Sequence, residues 1–278
     1  MIEIKNKKVK IIKPVSSWVP LNIKELWDYR DLLYFMVWKD FIIRYKQTLI
    51  GCSWAVLQPF LTMVVFSFFF GKLVGIPSNG VPYPIFSYSG LVPWTFFSVC
   101  FLQVSSCLAS QTDLIKKVYF PRLILPFSIV LSNILNFLIN FVLLLAMMLY
   151  FKIIPTVSII FLPFLLILAI ITALGVGLWF SVINVRFRDI ERTLPFIIQL
   201  WLFMTPVIYP VNLLKEPLKT IYSINPMVCV VEGFRWALLG SDAISGYILL
   251  ISSFYSICIL ISGAYFFRRM EKTFADIL

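Results

Sequence analysis

The chain has 278 residues, 60% of them hydrophobic and 13% charged, with a formal net charge of +11 and a mean hydropathy of +0.93. Ordinary globular chains are about 45–50% apolar, and so few charges cannot cover a soluble core of this size. The basic residues fall in short clusters between long uncharged runs, which is the pattern of membrane loops rather than of a nucleic-acid surface, and no nucleic-acid partner is expected.

From the N-terminus, Met1–Lys13 alternates Lys with Ile and Val and lacks the apolar core of a cleavable signal peptide. Trp27–Lys46 mixes Asp28, Arg30, Asp31, Lys39, Asp40 and Arg44 with Leu32, Phe35, Met36, Trp38 and Ile42. Helical spacing of Leu32, Phe35, Met36 and Lys39 predicts an amphipathic helix at the cytoplasmic interface. Residues 1–46 are accordingly read as a cytoplasmic tail and interface helix, 47–267 as a six-span core, and 268–278 as a second cytoplasmic tail, all within one transmembrane domain.

Six uncharged runs follow: Gln47–Gly71, Leu73–Thr112, Leu123–Phe151, Ile153–Val185, Thr193–Leu214 and Ala243–Phe267. Each exceeds the roughly 18–20 residues that cross a ~30 Å hydrocarbon layer. Pro77, Ser78, Asn79, Gly80, Pro82 and Pro84 mark a turn, so the second helix is predicted to begin near Pro84 or Ile85. The fourth run would be about 50 Å long as one helix, which predicts that it tilts, kinks or projects from the bilayer, with Pro163 the place for a kink. Between the fifth and sixth runs, Thr220–Val231 is too short to cross, and Asn225-Pro226 and Gly233 predict a pair of short re-entrant helices on the outer side. The predicted fold is thus an all-α integral membrane protein of six spans. Placing both termini in the cytoplasm puts 19 of the 24 basic residues inside and leaves Lys72, Lys152, Lys215, Lys219 and Arg235 outside, as the positive-inside rule requires.

The chemistry the sequence lacks narrows its function. Gly71-Lys72 has no upstream glycine, so there is no phosphate-binding loop and no ATPase of the chain's own. No Asp, Glu, His, Lys or Arg interrupts a span, where proton- and ion-coupled carriers place theirs. The five cysteines form no CxxC pair and histidine is absent, so no catalytic, metal or cofactor site is expected. The polar residues within the spans are amides and hydroxyls. Asn133, Asn136 and Asn140 share one face of the third span, where interhelical hydrogen bonding is the leading reading. Trp54, Gln58, Thr62 and Phe66 form an i, i+4 ladder in the first span with Phe69 close by, and Gln199, Phe203, Pro206 and Tyr209 group in the fifth. Rings that pack on a pyranose face, interleaved with amides that bond its hydroxyls, would suit a sugar path.

Four ordered motifs carry a family resemblance: Asp113-Leu-Ile-Lys-Lys-Val-Tyr-Phe-Pro-Arg-Leu-Ile-Leu-Pro126, Leu174-Gly-Val-Gly-Leu-Trp-Phe-Ser-Val-Ile-Asn-Val-Arg-Phe-Arg-Asp-Ile190, Leu194-Pro-Phe-Ile-Ile-Gln-Leu-Trp-Leu-Phe-Met-Thr-Pro-Val-Ile-Tyr-Pro210, and Asn225-Pro-Met followed by Glu232-Gly-Phe-Arg235. The chain resembles the membrane subunit of ABC-2 type polysaccharide exporters, which move O-antigen, capsule or teichoic-acid polymers. The resemblance implies a homodimer in the bacterial cytoplasmic (inner) membrane, a channel between protomers for a lipid-linked polysaccharide, and two cytoplasmic ATPase subunits that bind the ATP and Mg. It further implies that Asp113, Lys116, Lys117, Tyr119, Pro121 and Arg122, with Arg186, Arg188 and Asp189, couple to the ATPase, and that Asn225, Pro226, Glu232 and Arg235 belong to an outer gate. The rival readings are an ABC-2 permease for lipids or drugs and, more remotely, a membrane enzyme of glycolipid metabolism.

Overall fold

A computed structural model describes residues 23–46, 51–187, 189–213, 218–241 and 246–277. These residues are helical apart from turns, with no strand among them. The chain begins with α1 (Ile23–Asp28) and α2 (Arg30–Lys46), then α3 (Gly51–Phe66), which runs on as a π-helical turn over Ser67–Leu73. Next come α4 (Tyr83–Ser110), the short α5 (Thr112–Lys117), α6 (Ile124–Tyr150) and α7 (Leu162–Arg186), the last preceded by a 3-10 turn at Val157–Phe161. The remaining helices are α8 (Asp189–Phe203), α9 (Leu218–Tyr222), α10 (Pro226–Leu239) and α11 (Gly246–Ile277).

Five helical stretches among the described residues are long and apolar enough to cross a membrane: Val56–Leu73, Tyr83–Ser110, Ile124–Tyr150, Val157–Arg186 and Gly246–Glu271. The fifth apolar run traverses the bundle in another form. Its helix, α8, has 15 residues and reaches only ~22 Å. The chain then continues from Met204 to Pro210 without regular structure and arrives beside Tyr83, at the far end from where α8 began. Over the described residues the chain therefore passes between the two ends of the bundle six times, five times on a continuous helix of spanning length.

Two local expectations change. Pro163 does not kink the fourth run; it sits in the first turn of α7, where its missing N–H has no helical acceptor to lose. Gly233 does not break the re-entrant segment either. It is buried inside α10, which runs unbroken from its Asn225 cap to Gly240, a left-handed C-terminal residue at φ 68°.

The axis of the fold is α4, largely buried and packed by α3, α6, α7, α8 and α10. The Gly-Val-Gly of the second motif explains how α7 fits. Gly175 and Gly177 lie two residues apart and so face nearly opposite ways. A Cβ on Gly177 would stand 2.6 Å from a methyl of Val104 in α4, and one on Gly175 would stand 2.8 Å from the backbone nitrogen of Leu260 in α11. Without side chains, the backbone of α7 closes on both neighbours, as small residues allow between membrane helices. Thr172–Ser256 (3.0 Å), Trp179 donating to Ser262 (3.1 Å) and the Trp179–Phe266 stack complete the α7–α11 seam.

One end of the bundle gathers Tyr83, Phe86, Ile208, Phe161 and Trp236. The opposite end has its own apolar cluster, including Met36, Leu108, Ile115, Phe120, Leu178, Val185 and Phe267.

Candidate functional site

The segment after α8 combines irregular backbone with burial. Pro206 and Pro210 each remove a backbone N–H and disfavour a continuing helix, yet Thr205, Pro206, Val207 and Ile208 are buried. Carbonyls freed at this depth cannot be left to hydrocarbon and need partners from the protein. Arg235, on α10, supplies them. Its guanidinium is fully buried, and Nη2 donates to the Val207 carbonyl at 2.6 Å while Nη1 donates to that of Pro206 at 2.5 Å. Nε reaches the Phe86 carbonyl of α4 at 3.4 Å, the cation lies 3.7 Å from the Phe86 ring centroid, and Glu232 accepts from Nη1 at 2.9 Å. Gly90 makes the space: a Cβ there would lie 2.9 Å from Nη2. Tyr83 adds a bond from its hydroxyl to the Ile208 carbonyl, 2.7 Å.

Asn225 ties the same turn from its other side. Its side-chain oxygen caps α10 at Met227 N (3.1 Å) and accepts from Trp201 Nε1 (3.2 Å), while its amide donates to Thr205 Oγ1 (3.1 Å). Pro226 is buried at the first position of α10. Three of the four outer residues singled out by sequence, Asn225, Glu232 and Arg235, thus converge on one folded-back turn. Sequence reading placed Arg235 at the charged end of the outer re-entrant helices and missed Gly90 and Tyr83. The available signal was an arginine set inside the apolar stretch Val228–Leu239, where a cation requires a built cage.

The amide and ring stripes stay on two helices, α3 and α8, each packed on α4. On α3, Gln58 is exposed, Thr62 bonds back to the Gln58 carbonyl, Phe66 meets Phe70 edge-on, and Phe69 is exposed in the π-helical turn. On the α8 side, Gln199 and Phe203 are exposed, and the Tyr209 hydroxyl donates to the Phe203 carbonyl (3.0 Å) and pairs with the Tyr222 hydroxyl (3.2 Å). The side chain of Trp54 lies outside the described residues. Of these groups Gln58, Phe69, Gln199 and Phe203 are exposed on the surface of the chain, and Thr62, Phe66 and Tyr209 are half-buried. A part-exposed face of α4 carries Thr95, Ser98, Val99, Leu102 and Ser106 at helical spacing, hydroxyl positions that sequence reading did not select.

The asparagines of α6 form an interhelical ladder. Asn133 donates to Gln103 of α4 (2.8 Å), Asn136 to Asn133 (3.1 Å), and Tyr88 of α4 to Asn140 (3.1 Å). Arg44, at the end of α2, inserts its fork here, donating to Asn133 at 2.8 Å and Gln103 at 2.9 Å.

At the opposite end, Asp113, Lys116, Lys117 and Tyr119 are exposed on α5 and the strand-like residues after it. Pro121 is buried, and Arg122 turns inward: its backbone N–H donates to the Glu271 carboxylate (3.2 Å) and its guanidinium to the Glu271 carbonyl, while Arg268 binds the other carboxylate oxygen at 2.6 Å. Arg186 and Asp189 are exposed, with the Arg186 cation over the Phe187 ring. Arg188 lies outside the described residues. The eight described residues therefore divide between an open surface and an internal brace.

Comparison with known proteins adds a family. Residues 31–239 match the family described as ABC-2 type transporter. The O-antigen export system permease protein RfbA of Myxococcus xanthus is 28% identical over 256 residues, covering 91% of this chain and 98% of that protein. A Klebsiella pneumoniae protein of the same name is 29% identical over 251 residues (89% and 95%), and the polysialic acid transport protein KpsM of Escherichia coli is 23% identical over 237 (82% and 89%).

Proposed function

The chain belongs to the ABC-2 type transporter family, and from that premise we propose that it is the transmembrane subunit of an exporter that moves a polysaccharide across the bacterial cytoplasmic membrane. One observation of the structure supports the reading above the others. Gln58 and Gln199 stand exposed on two helices of an apolar bundle. An amide facing lipid without a partner costs several kcal/mol, so these faces need something polar opposite them. Two copies of the chain, set with their α3 and α8 faces toward each other, supply that setting. Gln58, Thr62, Gln199 and the rings Phe66, Phe69, Phe203 and Tyr209 then border a path between protomers in which glycan hydroxyls exchange water for amides while sugar faces pack on rings.

Energy enters from elsewhere, since the chain has no phosphate-binding loop. Two separate ATPase subunits bind ATP and Mg and dock at the end that carries Asp113, Lys116, Lys117, Tyr119, Arg186 and Asp189. This end faces the cytoplasm, where the basic residues concentrate. Closure of the ATPase pair biases the two protomers toward an open path, and the folded-back turn with α9 and α10 closes the outer end. The cargo is carried on a lipid anchor that keeps one end of the polymer at the membrane. Deleting this chain's gene should trap polysaccharide inside the cell and strip it from the surface, assayed on both fractions. Unchanged surface glycan would sink the reading.

A further inference from the structure

We propose that Arg235 is a positioning residue that holds the outer end of the path shut at rest, with Gly90 as the gap in α4 that admits it. The inference rests on the export reading and says which contact keeps the gate closed. A buried arginine that only needed charge balance would be served by Glu232 at 2.9 Å. This one keeps that pair and also spends its fork on backbone, bonding Pro206 and Val207 of the turn and Phe86 of α4 from its seat on α10. Three segments are fastened by a single planar cation, and Lys could not reproduce that geometry because its ammonium is a point charge.

The location matters as much as the bonding. Nη1 also lies 3.4 Å from the carbonyl of Tyr209, and the Tyr209 hydroxyl meets that of Tyr222 at 3.2 Å. The clasp thus fixes the backbone from which the tyrosine contact between turn and α9 is made. Gly90 is an independent sign of the same design. A helix-interior glycine is unfavourable by itself, but here any Cβ would press on Nη2 (2.9 Å) and on Val231 Cγ1 (3.2 Å). The sequence keeps the gap where the guanidinium enters.

The test reconstitutes the full chain in liposomes without ATP and follows leak of carboxyfluorescein, normalised to folded protein recovered by size exclusion. Arg235→Gln should raise the leak about tenfold or more, the shift expected when the closed state loses one charge-assisted hydrogen bond. Arg235→Lys should leak to an intermediate degree, and Gly90→Ala should leak by displacing the fork. Combining Gly90→Ala with Arg235→Lys should leak less than the sum of the two, because the slimmer head tolerates the added methyl. A role in folding alone predicts lower recovery with whatever folds remaining tight. Folded Arg235→Gln or Gly90→Ala protein as tight as wild type would overturn the proposal, and so would failure of every variant to fold. The export reading fails separately: unchanged surface glycan on deletion, with the leak pattern intact, discards the cargo and keeps the seal.

Discussion

Gly263 of α11 crosses Gly175 of α7 so closely that a Cβ on Gly263 would sit 2.5 Å from the Gly175 carbonyl oxygen and 3.1 Å from the Trp179 ring. Overpacking a tight contact costs roughly 1–3 kcal/mol. Gly263→Ala and Gly175→Ala should each lower the unfolding temperature in mild detergent. Gly246→Ala, with nothing within 4 Å, is the reference and should not. Equal melting curves for all three would show that the seam is looser than the geometry says.

The Arg44 fork makes a second prediction. Asn133→Leu and Gln103→Leu each remove one of its acceptors, and the two share a hydrogen bond of 2.8 Å, so their effects should couple. Interhelical polar contacts in membranes are worth about 0.6 kcal/mol on average and up to ~1.7. A double-mutant cycle on unfolding free energy should return a coupling in that range, and additive losses would separate Arg44 from the amides.

Gln58 and Gln199 distinguish a glycan path from a lipid surface. Leucine suits lipid better than glutamine does, so Gln58→Leu and Gln199→Leu on lipid-facing positions should leave export per folded protein unchanged or improved. If the faces border the path, export falls several-fold while the protein still assembles, as it should for Phe66→Ala and Tyr209→Ala. Phe141→Ala, on a different helix, is the comparison ring. Wild-type export per folded protein in all four variants would remove these residues from the path.

Orientation is checked by labelling intact cells. A cysteine at Ser78, in the turn before α4, should react with an impermeant maleimide, whereas one at Lys117, the last residue of α5, should react only once the membrane is opened. Labelling of position 117 from outside reverses the topology.

Tyr119 and Arg122 separate docking from bracing at the inner end. Tyr119 is 65% exposed, and exposed positions usually change stability by less than about 0.5 kcal/mol, so Tyr119→Ala should keep its melting temperature yet lose binding to the ATPase subunit. Arg122→Ala should melt earlier because it removes the guanidinium bond to the Glu271 carbonyl. A Tyr119→Ala protein that binds the ATPase normally would remove that residue from the docking surface.

The sequence showed most of the helices because a charge-free run is a direct consequence of hydrocarbon solvation. It did not show how the fifth run would traverse. Hydropathy counts side chains, and Met204–Pro210 is as apolar as its neighbours; only the carbonyls of Pro206 and Val207 reveal the problem, through the arginine that answers them. Arg44 was legible as a charge on the interface helix and Arg235 as a charge of the outer re-entrant helices, but charge in sequence order says nothing about where a long side chain ends. The asparagine ladder was readable from its spacing, because i, i+3 and i+4 positions share a helix face whatever the fold. Pro163 was misread for the opposite reason: a proline inside an apolar run marks either a kink or a helix start, and the 3-10 turn at Val157–Phe161 decides between them. At the inner end, the motif around Arg122 could not be divided into surface and brace until Glu271, far away in sequence, was placed beside it.

The two bare faces of α7 also bear on biosynthesis. The face at Gly177 can close on α4 as soon as both helices are in the membrane, whereas the face at Gly175 stays uncovered until α11 has been made. During that interval the nascent chain offers a strip of naked backbone that lipid fills poorly. An insertion factor that shields small-residue grooves would find its substrate there, and a chain cut short before α11 would carry the same strip permanently, open to a membrane protease.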